Sequence, residues 1–225
     1  MQEKSVIITA GGLGKRMKSA LPKQFMLLGK RPILMRTIQL FYDFDSKIEL
    51  ILALPEDWID FWKELQAKHK FTIPHIVVPG GQERFHTVQN ALKKCTGKYI
   101  AVHDGVRPFV ESALLQICFD SLKQNSTAIP LLSIKESVRF LSDNKTEALD
   151  RNKYKLVHTP QCFHAAILKK AYLQSYHNLI TDDAGLVEQM GEQLFFVESN
   201  EENIKITTSN DFRIAEAILA SKIQQ

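Results

Sequence analysis

The chain has 225 residues, 44% of them hydrophobic and 24% charged, with 29 Lys and Arg against 25 Asp and Glu; this fits one large α/β domain around one core. A net charge of +4 suits a small anionic ligand without arguing for nucleic acid, which usually needs a concentrated basic face, so no nucleic-acid partner is expected. Three scattered cysteines, Cys95, Cys118 and Cys162, exclude a disulfide framework and a CxxC metal site. No apolar run approaches the ~18 residues of a membrane span, so the expectation is a cytoplasmic protein with no membrane partner.

Ser5-Val6-Ile7-Ile8 has the apolar, β-branched make-up of a buried parallel strand. It runs into Ala10-Gly11-Gly12-Leu13-Gly14-Lys15-Arg16-Met17, with Pro22-Lys23-Gln24 just downstream. Glycines there let a ligand approach the backbone N–H groups, and Lys15, Arg16 and Lys23 add three cations, so the stretch reads as a polyphosphate-binding loop. It is not a Walker loop, because Thr9 stands at the first glycine position and Arg16 follows Lys15 where a hydroxyl would be needed. The dinucleotide pattern fails at Met17, its last glycine position. The plain alternative is a strand-to-loop turn with solvated cations.

Residues 32–41 carry helical spacing, with Pro32 in a tolerated first-turn position. Residues 48–54 read as a second strand, and the helix opening at Pro55 sets Trp58, Phe61, Trp62 and Leu65 on one face. Packing is the expected use of that aromatic stripe, in preference to a cofactor box. Residues 75–79 form a third strand ending in Gly80-Gly81, followed by a helix over 82–92. If both glycine turns lie at the carboxyl ends of neighbouring parallel strands, they converge on one crevice, where Gly80, Gly81 and Thr87 could hold a base and its ribose.

The fourth strand leaves through His103-Asp104-Gly105-Val106-Arg107-Pro108. Asp104 at the sheet edge has two candidate roles, magnesium ligand or acceptor for substrate hydroxyls, with a turn aspartate as the alternative; His103 is expected to pack or orient. A helix over 111–124 and a strand over 128–132 follow. Residues 134–141 and 146–151 then read as an antiparallel hairpin around Ser142-Asp143-Asn144-Lys145. A lone hairpin has too little core to stand unaided, so an arm at about 134–155 packed on a second copy is expected. Residues 163–174 read as helix, Thr181-Asp182 caps another through about 190, residues 194–197 are a late strand, and a closing helix starts near Ser209.

Taken together, the glycine loop, Pro22-Lys23-Gln24, Gly80-Gly81-x-Glu83-Arg84, the 103–108 run, Asp150-Arg151-Asn152, Thr159-Pro160-Gln161, Thr181-Asp182-Asp183-Ala184 and Asn203-Ile204-Lys205 resemble the 2-C-methyl-D-erythritol 4-phosphate cytidylyltransferases of the non-mevalonate isoprenoid pathway. The resemblance spans nearly the whole chain. It implies a Rossmann-like three-layer nucleotidyltransferase fold, with a mostly parallel twisted sheet and a protruding arm, as one domain over 1–225. It also implies an enzyme joining CTP and 2-C-methyl-D-erythritol 4-phosphate with release of pyrophosphate, with Mg2+ as cofactor and a homodimer formed through the arm. On that resemblance, Ala10, Gly11, Gly12, Leu13, Gly14 and Lys15 form the phosphate loop, Arg16 and Lys23 are the transition-state cations, and Gly80, Gly81, Thr87, Asp104 and Gly105 face the nucleotide. Asp104, Arg107, Ser137, Arg151, Thr181 and Lys205 contact the acceptor, with Ser137 and Arg151 serving the partner's site, and Asp104 is the candidate metal ligand. Ser137 stands where Thr is usual, Thr87 where many relatives have Ser, and Thr9 and Gly11 depart from the common Pro-Ala-Ala opening.

The residue types fit that chemistry independently. An acceptor phosphate is already an anion, so attack on the α-phosphorus needs no protein nucleophile or strong base. What it needs is alignment and charge neutralisation, with Lys23 shielding the triphosphate and Arg16 stabilising the departing pyrophosphate. Two rivals stay open: a ribitol 5-phosphate cytidylyltransferase, against which Asp150-Arg151-Asn152 argues, and a non-catalytic nucleotide-binding protein, against which Arg16, Lys23 and Asp104 argue.

Overall fold

The computed structural model describes residues 2–11 and 21–223. Twelve strands and seven helices are described: β1 (Lys4–Thr9), β2 (Leu27–Leu28), β3 (Arg31–Pro32), α1 (Ile33–Phe44), β4 (Glu49–Leu54), α2 (Ile59–Lys68), β5 (Ile76–Pro79), α3 (Arg84–Leu92), β6 (Tyr99–Asp104) and α4 (Ser112–Ser121) come first. There follow β7 (Thr127–Ser133), β8 (Val138–Ser142), β9 (Lys145–Leu149), β10 (Lys155–Val157), β11 (Gln161–His164), α5 (Ala165–Ala171), α6 (Asp183–Glu188), β12 (Phe196–Glu198) and α7 (Ser209–Ile223).

The main sheet runs β10-β7-β11-β6-β1-β4-β5, with β12 also paired to β7. The pairs β6-β1, β1-β4, β4-β5 and β7-β12 are parallel, whereas β11 runs antiparallel to both β6 and β7. Alternation along each buried strand feeds two cores, as a period of two requires. Val6, Ile8, Leu50 and Leu52 pack with Leu34, Ile38, Phe41, Trp62 and Leu115 from α1, α2 and α4. Ile7, Ile51, Ile100 and Val102 face the other way, against Phe85, Val88, Leu168, Leu186 and Val187 from α3, α5 and α6. The result is three layers, helices on both faces of a mostly parallel sheet. A third cluster, Leu28, Ile33, Val106, Phe109, Ile206 and Ala215, is closed by α7.

The aromatic stripe of α2 is core: Trp62 is fully buried among Phe25, Phe71 and His75, and its indole Nε1 donates to His75 Nε2 at 3.0 Å. The helix expected from residue 163 instead begins at Ala165, and Gln161–His164 is a strand. Cys162 points into one core and Phe163 into the other, so the segment is wedged between β6 and β7, and that tertiary demand overrides a helical reading of residues 163 and 164. Strand β10 had no signal strong enough to be foreseen. The hairpin β8-β9 forms a separate two-stranded sheet with Phe140 55% and Leu141 70% exposed. No helix among the described residues is long and apolar enough to cross a membrane.

Candidate active site

After β1 the chain fills one side of the sheet with β4 and β5, then crosses to place β6 on the other side of β1. The adjacent carboxyl ends of β1 and β6 are therefore a topological switch point, where open α/β sheets leave a crevice. Thr9 pairs with Asp104 in register, and Gly105 N–H donates to Thr9 O at 2.9 Å. A cavity of about 340 Å³ opens there, lined by Thr9, Ala10, Gly11, Lys23, Gln24, Gly81, Arg84, Thr87, Asp104 and Lys205 among others.

Asp104 is its electrostatic centre. The carboxylate is nearly buried, and its Oδ2 meets Lys205 Nζ at 2.9 Å and Arg107 Nε at 3.4 Å. Burial alone would push this carboxyl up, but Lys205, Arg84 and Arg107 together reverse that and hold it well below the usual carboxylate range. Arg107 is itself pulled down by burial, against the opposing pull of Asp104, and its Nη1 donates to Asn203 O at 2.6 Å. Behind the carboxylate, Thr159 Oγ1 accepts the Asp104 N–H at 3.1 Å and lies 3.1 Å from His103 Nδ1. His103 Nε2 lies 3.0 Å from Arg107 O, and burial pushes its pKa down to about 4. His103 packs and orients, as expected.

The loop after β5 is shaped by its glycines. A Cβ at Gly81 would stand 2.3 Å from His86 Cβ, and one at Gly80 would crowd Leu54 O and Thr87 Oγ1 at 3.3 Å. The Thr87 hydroxyl accepts from Gly81 N–H and donates to Glu83 O, both at 3.0 Å, so Thr87 holds the loop while lining the cavity. At Gly105 a Cβ would press on Leu34, Ala10 and Thr9 O at 3.1–3.2 Å; Gly80 and Gly105 set backbone approach from behind the cavity wall.

Of the residues expected at the site, Ala10, Gly11, Lys23, Gly81, Thr87, Asp104 and Lys205 are brought together around the cavity. Gly12, Leu13, Gly14, Lys15 and Arg16 lie outside the described residues. Arg107 opens on an adjoining depression with Leu156, Val157, His158 and Lys205. Thr181 is exposed ahead of α6, and Ser137 and Arg151 are exposed at the base of the arm, away from this chain's cavity; Arg151 Nη1 donates to Lys135 O. Three further residues of these motifs, to which the sequence pattern assigns no role, hold the site together. Gln24, almost wholly buried, donates from Nε2 to Ala10 O at 2.8 Å and pins the loop entrance. Asn203 Nδ2 donates to Thr159 O at 2.9 Å. Gln161 Oε1 accepts from the N–H groups of Asp183 and Ala184 at 3.0 and 2.9 Å.

A three-layer α/β fold whose switch-point crevice sets several cations around one ionised carboxylate is suited to a nucleotidyltransferase. A family model described as 2-C-methyl-D-erythritol 4-phosphate cytidylyltransferase matches residues 5–221. The chain is similar to the protein of that name from Bacteroides fragilis, 46% identical over 217 residues that cover 96% of this chain and 99% of the relative. It is 34% identical to the one from Bacillus anthracis, over 96% of this chain and 97% of that one. Its structure resembles the crystal structure of 4-diphosphocytidyl-2C-methyl-D-erythritol synthase from Anaerococcus prevotii, with a TM-score of 0.83 and 28% identity over 97% of this chain and 96% of that chain. The chain belongs to the 2-C-methyl-D-erythritol 4-phosphate cytidylyltransferase family.

Proposed function

We propose that this protein transfers the cytidylyl group of CTP to 2-C-methyl-D-erythritol 4-phosphate. An acceptor phosphate oxygen bonds to the α-phosphorus while the bond from that phosphorus to the bridging oxygen of the β-phosphate breaks, giving 4-diphosphocytidyl-2-C-methyl-D-erythritol and pyrophosphate. The observation that carries this reading is the cavity at the β1-β6 switch point, with Lys23, Arg84 and Lys205 on its walls and ionised Asp104 among them. Two polyanions must approach there, and fixed cations in a recessed site lower that repulsion far more than they would in water. Ala10 to Lys15 cradle the triphosphate, Arg16 and Lys23 stabilise the charge that builds on the leaving group, and Gly80, Gly81 and Thr87 shape the nucleoside end. Arg107, Thr181 and Lys205 take the acceptor.

Asp104 fits a Mg2+ bound mainly by nucleotide oxygens: it is ionised, it faces the cavity, and no cluster of three His, Cys, Asp or Glu side chains exists among the described residues to hold a metal unaided. When bound, Mg2+ would screen the triphosphate charge and favour departure of pyrophosphate. We read residues 1–225 as one nucleotidyltransferase domain with a dimerisation arm inserted at about 134–155. Phe140 and Leu141 on the arm stay uncovered in one chain, and a homodimer in which Ser137 and Arg151 reach the partner's cavity gives them cover. Three free, buried thiols suit a reducing cytoplasm.

Pyrophosphate release with CTP and Mg2+ tests the reading, with 2-C-methyl-D-erythritol 4-phosphate and ribitol 5-phosphate compared in parallel. Turnover with the first acceptor alone is expected. Turnover with ribitol 5-phosphate alone would retain the chemistry and reject the acceptor, and CTP binding without pyrophosphate release would point to a binding protein.

A further inference from the structure

One buried charge beside the cavity has no part in the scheme above. Asp183, at the first turn of α6, is fully buried and does not line the cavity. Its carboxylate accepts Arg84 through both prongs of the guanidinium, Nη1 to Oδ1 at 3.1 Å and Nη2 to Oδ2 at 2.6 Å. The Tyr172 hydroxyl donates to Oδ1 at 2.5 Å. The backbone around it is also fixed: Gln161 takes the Asp183 and Ala184 N–H groups, and Asp182 caps α6 by accepting Gly185 N–H at 2.9 Å. Arg84 differs from every other member of this cluster, because its side chain is 30% exposed and lines the cavity. It stands three residues after Gly81, as the first residue of α3.

We infer that Asp183 is a positioning residue for the nucleotide half of the site, holding Arg84 so that the donors not used by Asp183 face bound CTP. The inference rests on the cytidylyl-transfer reading. A guanidinium has five N–H donors in a fixed fork, and a bidentate carboxylate uses two of them. A long side chain locked in advance gives up less freedom when an anion binds, so its contact contributes more to affinity. An ion pair serving only to join α3 and α6 would gain nothing from leaving its cation open to the cavity. Arg84 keeps its charge in this position: burial alone would lower its pKa, and Asp183, helped by Asp104 and Tyr172, raises it above the ordinary value.

The test measures CTP affinity by calorimetry and KM for each substrate in the wild type, Asp183→Asn, Arg84→Met and the double variant. Asp183→Asn is expected to raise the CTP Kd and KM about tenfold, the equivalent of about 1.4 kcal/mol, while the acceptor KM changes less than about twofold. Arg84→Met should do the same, and the double variant should bind CTP no worse than Arg84→Met alone, because Asp183 acts through Arg84. If Asp183→Asn fails to fold, the comparison of Arg84→Met with the double variant carries the test, since both charges are then removed together. Wild-type CTP affinity in Asp183→Asn, equal losses for both substrates, or multiplicative losses in the double variant would overturn the inference. Such a result in an active wild type would leave cytidylyl transfer standing, whereas a wild type that neither binds CTP nor releases pyrophosphate would remove the reading itself.

Discussion

The cavity at the end of β1 and β6 and the β8-β9 arm are built on opposite terms. Around Asp104, contacts from Thr159, Arg107, Lys205 and the Asn203 amide nitrogen and backbone carbonyl tie the cluster together inside a single chain, and Asp104 is 7% exposed. On the arm, strands pair only with each other among the described residues, and Phe140 and Leu141 stand in solvent. A preorganised charge site needs rigid walls, whereas an arm that must recognise another molecule cannot bury its own apolar side chains first. The contrast sets a charge site organised within one chain beside an arm whose apolar side chains that same chain leaves uncovered.

Breaking the nucleotide end should have the largest effect. Lys23→Ala is expected to raise the barrier by about 3 kcal/mol or more, roughly a 100-fold fall in kcat, as for loss of a preorganised donor at developing charge; single-turnover kinetics would show it in the chemical step, and near-normal turnover would remove Lys23 from catalysis. Breaking the arm's contribution should act on the acceptor instead. Arg151→Ala is expected to raise the acceptor KM about tenfold, leaving CTP affinity in place, because a guanidinium fork suits phosphate oxygens. Steady-state kinetics varying each substrate separately distinguishes the two regions.

A paired Phe140→Ser and Leu141→Ser change sharpens the comparison structurally. Light scattering should find the dimer dissociating at concentrations where the wild type holds together, and an unchanged dimer would place the interface elsewhere. The smallest effect concerns pH and only the cavity side of the molecule. His103 is held down to about 4 by burial, and His158 likewise by burial and by nearby Arg107. Both native values lie below the unfolded value of about 6.5, so the unfolded chain binds more protons between about pH 6.5 and 4. Stability from these groups is complete above about pH 6.5 and is lost as pH falls through about 4. Urea midpoints should decline over that window, and a flat profile would contradict neutral burial of the two imidazoles.

How much could be read from sequence followed the same division. Long apolar strands such as β1, β4 and β6 announce themselves because both faces are buried, and Asp104 stands out as a charge at the end of one of them, Lys23 as a cation soon after a glycine loop. The four-residue β11 does not, since Cys162 and Phe163 show no period until the two cores they enter are known. Pairings over long separations are equally silent: Arg84 and Asp183 lie 99 residues apart and meet only because α3 and α6 share one face of the sheet. The hairpin was readable from its turn-rich centre, and its exposure is a property of the folded chain alone.

The most direct measurement of the division of labour between cavity and arm is complementation between two crippled subunits. Lys23→Ala chains, nearly inactive, and Arg151→Ala chains, slowed about tenfold at limiting acceptor, would be co-expressed with different tags and purified as the mixed dimer. If each arm serves the partner's cavity, the Arg151→Ala subunit keeps an intact cavity and receives an intact arm, so one site per dimer works and turnover with CTP and 2-C-methyl-D-erythritol 4-phosphate returns. A mixed dimer no more active than its two parents would mean that each chain uses its own arm, or none, and would contradict a shared site.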